Sequence, residues 1–331
     1  MKKTTVKAFS NIALIKYWGK RDEKLILPQN SSFSVALSNL FSKTTVHFSK
    51  RYKRDLFFLN QKEFASTSLE FAKVARVLAI LRRYAKTRQK AKIVSENNFP
   101  TAAGLASSAS GLSALTVALA KALDLNLSSK QLSIVARQGS GSACRSVMGG
   151  FVLWKKGSRE DGSDSFAQEI KTSNFSDIKI IVCLVTSKEK KVKSSIGMKE
   201  TVTTSAYYQS WPEDAEKDVK KIKQALFKND FWSFGELAER NALKMHALMM
   251  TSKPPIVYML PQTVTIMKKV WDMREKGLPV FFTMDAGPQV KVICQEKDLP
   301  RVKNGLSRVG AQNIIVNGLS GQPEFLKTHL F

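Results

Sequence analysis

Three groups of residues have the types and spacing to do chemistry. The first is Pro100-Thr-Ala-Ala-Gly-Leu-Ala-Ser-Ser-Ala-Ser-Gly111, a run of small side chains with Gly104 and two adjacent hydroxyls, Ser107 and Ser108. It feeds an apolar stretch, Ala109 to Leu123, that reads as a helix with Leu112, Leu115, Leu119 and Leu123 near one face. A Gly/Ser loop entering a helix gathers free backbone N–H groups at the positive end of the helix dipole, which suits phosphate. A helix capped by Ser107 or Ser108, with no ligand, fits the same residues. No Gly-Lys-Ser/Thr closes the loop, so it is not a Walker A loop.

The second group centres on Arg145, inside Gln138-Gly-Ser-Gly-Ser-Ala-Cys-Arg-Ser-Val-Met-Gly-Gly150. Its planar fork could clamp a phosphate or carboxylate, or make a structural salt bridge. The third is Asp285, after the apolar run Leu278-Pro-Val-Phe-Phe-Thr-Met and before Ala-Gly-Pro. A carboxylate at such a strand end could accept a proton, orient a hydroxyl, hold magnesium or cap an Asx turn. Together the groups suit phosphoryl transfer, which needs donors around phosphates, usually magnesium, and an aligned acceptor hydroxyl.

The elements that must position these groups are partly legible. Thr5-Val-Lys-Ala-Phe, Ser32-Phe-Ser-Val-Ala-Leu, Thr45-Val-His-Phe and Leu56-Phe-Phe-Leu read as strands. Between the first two, Asn11 to Pro28 mixes cations with Tyr17 and Trp18 around Gly19; a charged turn with both aromatics in the core fits as well as a binding segment. A basic amphipathic helix is expected over Ser68–Thr87, with Phe71, Val74, Leu78 and Leu81 inward, and another over Asn126–Arg137. Lys156 to Phe175 reads as a surface excursion, and Ile178 to Val185 as a strand apolar on both faces. Lys188 to Ser195 reads as basic and flexible; helices are expected over Asp214–Phe227, Phe231–Met250 and Thr263–Met273, and a last strand at Val290-Lys-Val-Ile-Cys. Clustered strands and helices favour an α+β chain of two domains, 1–182 and 183–331.

The chain has 331 residues, 53 Lys and Arg against 27 Asp and Glu, and a formal net charge of +26. That charge favours anions without choosing one; no short nucleic-acid-binding signature accompanies it, and the cations are spread over both halves. Three scattered cysteines form neither a disulfide framework nor a metal cluster. The three histidines lie outside every glycine-rich segment, so histidine chemistry is not expected. No apolar run is long enough to cross a bilayer, and Lys16 interrupts the short N-terminal one, so no signal peptide is read and a cytoplasmic protein is expected.

Read in order, the motifs resemble the diphosphomevalonate decarboxylase family, in the superfamily of galactokinase, homoserine kinase and mevalonate kinase. The resemblance rests on Asn11-Ile-Ala-Leu-Ile-Lys-Tyr-Trp-Gly-Lys-Arg-Asp with Leu27-Pro-Gln-Asn-Ser-Ser, and on the Pro100–Gly111 loop. Gly139-Ser-Gly-Ser-Ala-Cys-Arg-Ser, Gly149-Gly-Phe, Ser194-Ser-Ile-Gly-Met, Thr201-Val-Thr-Thr-Ser and Met284-Asp-Ala-Gly-Pro complete it. It covers most of the chain. The sequence departs from the commoner pattern at Leu59-Asn-Gln-Lys, Phe151-Val-Leu-Trp and Ser34-Val-Ala-Leu-Ser.

The resemblance implies a ribosomal-S5-like N-terminal domain, a ferredoxin-like C-terminal domain and an active site between them. It implies ATP and Mg2+ as cofactors, and a homodimer with neither a specific nucleic-acid partner nor membrane insertion. The implied reaction phosphorylates the 3-hydroxyl of 5-diphosphomevalonate, then loses that phosphate with CO2 to give isopentenyl diphosphate. Asp285 would orient or deprotonate the hydroxyl, Arg145 would hold the substrate carboxylate and fix Asp285, and Asn11 would support the pair. Lys20 would meet the diphosphate and join the catalytic set. Tyr17, Trp18, Gly19, Ser140, Gly141, Ser142, Ala143, Cys144 and Ser195 would line the substrate. Gly104, Leu105, Ala106, Ser107 and Ser108 would meet ATP, the two serines also magnesium. Phosphomevalonate decarboxylase and a mevalonate-type 3-kinase remain same-fold alternatives, and a basic nucleic-acid-binding protein a distant one.

Overall fold

The computed structural model describes residues 2–99, 107–188 and 190–331. The strands are β1 (Thr4–Ile15), β2 (Lys20–Asp22), β3 (Leu27–Pro28), β4 (Ser32–Ser49), β5 (Leu56–Leu59), β6 (Lys62–Glu63), β7 (Lys90–Asn97), β8 (Phe151–Trp154), β9 (Ala167–Ile170), β10 (Ile178–Cys183), β11 (Phe281–Met284), β12 (Val290–Gln295), β13 (Ile314–Asn317) and β14 (Glu324–Leu326). The α-helices are α1 (Leu69–Tyr84), α2 (Ser107–Ala122), α3 (Ser129–Gly139), α4 (Ser194–Thr204), α5 (Trp211–Phe227), α6 (Phe231–Met250), α7 (Pro261–Glu275) and α8 (Leu299–Ser307). One sheet runs β14-β1-β4-β7-β5-β6, extended from β4 through β8 and β9; a second runs β11-β12-β10-β13. This is a two-domain α+β architecture.

The first sheet is organised on β1 and β4, which pair antiparallel from Thr4↔Val46 to Ile15↔Phe33 with register shifts at Phe9/Asn11 and Ala13/Ile15. Such irregularities re-aim side chains, and here they bracket Asn11 and precede Lys16. Helices α1, α2 and α3 cover one face. Ser68 caps α1 by accepting from Phe71 N at 3.2 Å, and Ser128 with Gln131 closes a capping box on α3. Phe71, Val74, Leu78 and Leu81 meet Leu112, Leu115, Leu119, Val46, Phe48 and Ile93 in one buried cluster. Each such side chain contributes about 1.5–3 kcal/mol when fully buried.

The second sheet is buried on both faces, as the two-sided apolarity of Ile178–Val185 expects. Along β10, Ile178, Ile180 and Val182 face a core shared with α5, α6 and the first sheet, while Ile181 and Cys183 face α7 and α8. The shared core is an aromatic seam: the Phe234 ring of α6 lies 6.4 Å from Phe33 of β4 and 5.9 Å from Phe151 of β8.

Three expectations change. The segment read as flexible up to Ser195 opens α4 at Ser194. The excursion after Lys156 carries β9, which pairs with β8. A domain change after residue 182 falls inside β10, whose whole length pairs in the second sheet, while β14 returns to β1. Among the described residues no helix is long and apolar enough to cross a membrane.

Candidate active site

Asp285 follows β11 directly, at the edge where the second sheet approaches the end of β1. Its carboxylate lies between two ammonium groups. Lys16 Nζ donates to Oδ1 at 2.9 Å, and Lys291 Nζ on β12 stands 3.2 Å from Oδ2. Both lysines are enclosed, with 1% and 0% of their surfaces accessible, whereas the Asp285 side chain keeps 28%. Lys16 Nζ also donates to Ala13 O at 2.7 Å. Its backbone is held from the C-terminal half: Lys16 N donates to Asn241 Oδ1 at 2.8 Å, and Asn241 in turn donates to Asp218.

Electrostatics follow from this packing. Burial alone would raise the Asp285 carboxyl, but the Lys16 and Lys291 charges with their hydrogen bonds outweigh it and hold the group far below the usual carboxylate range. Burial pulls Lys16 down to about 8, against the opposing pull of Asp285. Lys190, ahead of α4, is likewise drawn down to about 8 by burial; its Nζ donates to Ser194 Oγ and Ala286 O, both at 2.6 Å. His246 of α6 reaches the site too, through its ring nitrogen to the backbone. Its Nε2 lies 3.1 Å from Asp285 O, and burial followed by the Lys16 charge lowers it to about 4. A neutral ring bonded to a carbonyl must be the Nε2–H tautomer, so His246 braces the Asp285 backbone.

Arg145 lies beside this cluster but does not pair with Asp285 as the sequence reading expects. Its Nε donates to Asn11 Oδ1 and its Nη1 to Ser32 Oγ, both at 2.9 Å. The physical reason is that Lys16 and Lys291 already occupy both carboxylate oxygens. Asn11 completes a network, donating to Ser142 O at 3.1 Å and Ser146 Oγ at 2.8 Å. Arg145 is 4% accessible, and burial lowers its proton affinity.

The other expected residues fall at defined distances from this centre. Gly141–Cys144 form a 3-10 turn before Arg145. Ala143 and Cys144 are fully buried, and burial pushes the Cys144 thiol up to about 12, so neither side chain faces the cleft as a reactive group. Ser108 Oγ stands 3.4 Å from Ser140 Oγ, itself 3.4 Å from Ser142 Oγ, so a line of hydroxyls runs from the head of α2 toward Arg145. Ser107 and Ser108 open α2; Gly104, Leu105 and Ala106 lie outside the described residues. Ser195 is exposed on the first turn of α4.

Tyr17 packs on Trp154 at 4.6 Å, with a buried hydroxyl that has no partner among the described residues. Trp18 is a core side chain, 2% accessible, and its carbonyl accepts from Tyr208 Oη at 3.0 Å and Trp211 Nε1 at 2.9 Å. Gly19 has φ +107°, and a Cβ there would stand 1.6 Å from Tyr208 Oη, so both backbone and space require glycine. Lys20, expected at the diphosphate, pairs with Glu23 at 2.5 Å.

Sequence reasoning passed over Lys16, Lys291, Lys190 and His246. The signal for two of them was present: a lysine ends an apolar strand at Lys16, and another interrupts Val290-Lys-Val-Ile-Cys. A charge in a strand buried on both faces demands a partner.

Among the described residues, Ser108 Oγ meets the Ser140 hydroxyl at the long distance of 3.4 Å. No three His, Cys, Asp or Glu side chains gather to hold a metal among the described residues. At the head of α2, a magnesium ion would be held through the Ser107 and Ser108 hydroxyls with nucleotide-phosphate and water oxygens.

Two α+β domains meet at an ionised carboxylate among buried cations, and both match family models of small-molecule-kinase-type enzymes. Residues 8–167 match the diphosphomevalonate decarboxylase-like N-terminal domain, and residues 180–322 match the mevalonate 5-diphosphate decarboxylase C-terminal domain. The chain belongs to the diphosphomevalonate decarboxylase family. It is 38% identical over 317 residues to the diphosphomevalonate decarboxylase of Candida albicans, spanning 91% of this chain and 87% of that one. The solved mevalonate diphosphate decarboxylase of Enterococcus faecalis superposes with TM-score 0.90 at 42% identity, covering 98% of this chain and 99% of that one. That of Staphylococcus aureus gives 0.91 at 39% identity, covering 98% of each. A further solved relative, with TM-score 0.91 and 42% identity over 98% of this chain and 99% of that one, is a complex with MVAPP, AMPPCP and magnesium.

Proposed function

We propose that the cleft at Asp285 performs the ATP- and Mg2+-dependent decarboxylation of 5-diphosphomevalonate to isopentenyl diphosphate, ADP, phosphate and CO2. The observation that carries this reading is the surplus of buried positive charge about one carboxylate: Lys16, Lys190, Lys291 and Arg145 against Asp285. Such a site is short of anions, and a substrate carboxylate with a transferring phosphoryl group would supply them.

Asp285 would accept the hydrogen bond of the tertiary 3-hydroxyl and aim its oxygen at the phosphorus. Held ionised by two ammonium groups, it is a weak base, so alignment is its main task; it takes the proton only late, once the forming P–O bond has made the hydroxyl strongly acidic and ADP is leaving. Lys16 and Lys190 would meet negative charge as it shifts between phosphate oxygens, and Arg145, anchored by Asn11, would hold the carboxylate that is lost. Phosphate then departs from the tertiary carbon with its electron pair, and the carboxylate C–C bond breaks to form the alkene. Magnesium, bound near Ser107 and Ser108, would neutralise phosphate charge. Lys20, Tyr17, Ser140, Ser142 and Ser195 would contact the remainder of the substrate.

The same reading assigns a ribosomal-S5-like fold to the N-terminal domain and a ferredoxin-like fold to the C-terminal domain, in a cytoplasmic homodimer that light scattering would test. For the reaction, ATP-magnesium is offered with mevalonate, its 5-phosphate and its 5-diphosphate in turn, and CO2 and ADP are measured. A phosphorylated product without CO2 rejects decarboxylation. CO2 from the monophosphate alone rejects the diphosphate.

A further inference from the structure

Lys291 differs from the other cations of the cleft. On β12 it pairs with Thr283 of β11 and Val182 of β10, in the middle of the second sheet. Val290, Val292 and Cys294 face α7 and α8, whereas Ile293 faces the shared core, so by alternation Lys291 projects toward the first sheet. Its side chain is fully enclosed. Among the described residues, the carboxylate within ion-pair distance is that of Asp285. An enclosed ammonium carries a desolvation cost that a methionine of similar length would avoid. Packing alone therefore does not account for the charge.

We propose that Lys291 is a positioning residue that acts through Asp285: by standing on Oδ2 while Lys16 holds Oδ1, it fixes the plane of the carboxylate toward the acceptor hydroxyl. This rests on the reading of Asp285 as the hydroxyl-orienting group. Two contacts on opposite oxygens stop rotation about the Cβ–Cγ bond, which a single Lys16 contact would leave free. The charged and titratable groups around the pair are Lys16 from β1, Arg145 from the turn after α3, Lys190 from the segment before α4, His246 from α6 and Cys183 from β10. All but the thiol and the neutral imidazole are cations. Removing Lys291 leaves Asp285 with less positive charge, so the carboxylate binds a proton more readily and the acid limb of turnover moves to higher pH.

The test compares the unaltered chain with K291M, D285N and the double variant, using ATP-magnesium and 5-diphosphomevalonate from acidic to neutral pH. K291M is expected to lose about 10- to 100-fold in kcat, the scale of an ångström's misplacement. Both KM values stay within about threefold, and the acid limb rises by about one pH unit or more. In the D285N background K291M adds no further loss, because its effect passes through the carboxylate. Unchanged kcat with an unmoved limb overturns the proposal, as does a loss confined to KM or one that persists undiminished in D285N. Should thermal melting show K291M unfolded, K291Q carries the same readouts. An unaltered chain that releases no CO2 would instead remove the reading beneath, which is distinct from an active chain indifferent to K291M.

Discussion

Lys16, just after β1, and Asp285, just after β11, meet at 2.9 Å, so the ion pair that orders the cleft also ties the first sheet to the second. Removing Asp285 from this pair is costly, since the enclosed Lys16 ammonium has no water to replace its partner. The chemistry and the joining of the halves thus share a contact.

Replacing Asp285 by Asn keeps the shape and removes the charge. Turnover should fall by about 10²- to 10⁴-fold, the usual weight of an acid–base group, while nucleotide affinity from equilibrium titration changes little. Turnover equal to that of the unaltered chain would remove Asp285 from the reaction.

Activity and stability should part company in alkali. Lys16 and Lys190 are both lowered from 10.5 to about 8, so as pH rises through about 8 each loses the charge that meets Asp285 and phosphate, and kcat falls. The unfolded chain, however, binds more protons than the folded one between about 8 and 10.5, so these two groups make folding more favourable across that window. A pH–rate profile beside calorimetry checks this. Melting temperature and kcat falling together from pH 8 would contradict it, unless other groups, measured in K16M, account for the fall.

Asn11→Ala strips Arg145 Nε of its acceptor at 2.9 Å and leaves a buried donor unsatisfied. The loss should be about 1–3 kcal/mol in stability, with a raised KM for the phosphorylated substrate and a smaller change in KM for ATP. Denaturant unfolding and initial rates report both. An unchanged substrate KM would separate Arg145 from substrate binding.

Gly19→Ala puts a methyl group 1.6 Å from Tyr208 Oη at a backbone with φ +107°. We expect destabilisation of about 1–3 kcal/mol or more from overpacking, part of which Tyr208→Phe should relieve by removing the nearest atom. No relief in the double variant would assign the cost to the backbone conformation.

The helices and the buried strand were legible because periodicity and caps are local: Leu112, Leu115, Leu119 and Leu123 are all buried, and Ser68 caps the helix expected after it. The choice of Lys16 and Lys291, rather than Arg145, as the partners of Asp285 was not. Which cation takes a carboxylate depends on strand register and on which lysines the two sheets enclose, and these contacts span more than 260 residues between Lys16 and Asp285. Lys16 looked like a break in an apolar strand, when that break was itself the polar feature to follow. The helix at Ser194 was hidden by the lysines preceding it, because charge composition says little about a helix whose buried side is only Gly197, Met198 and Thr201.

The packing of Phe234 against Phe33 and Phe151 has a consequence for how the molecule behaves as a whole. A hydrophobic joint of this kind has no lubricating water layer, so the halves are not expected to swing as lobes on a hinge. Ligand entry must then be served by local rearrangement at the cleft rim. A cut between β9 and β10 should yield two pieces that each expose sticky aromatic surface, and heating the intact chain should show one cooperative transition rather than two.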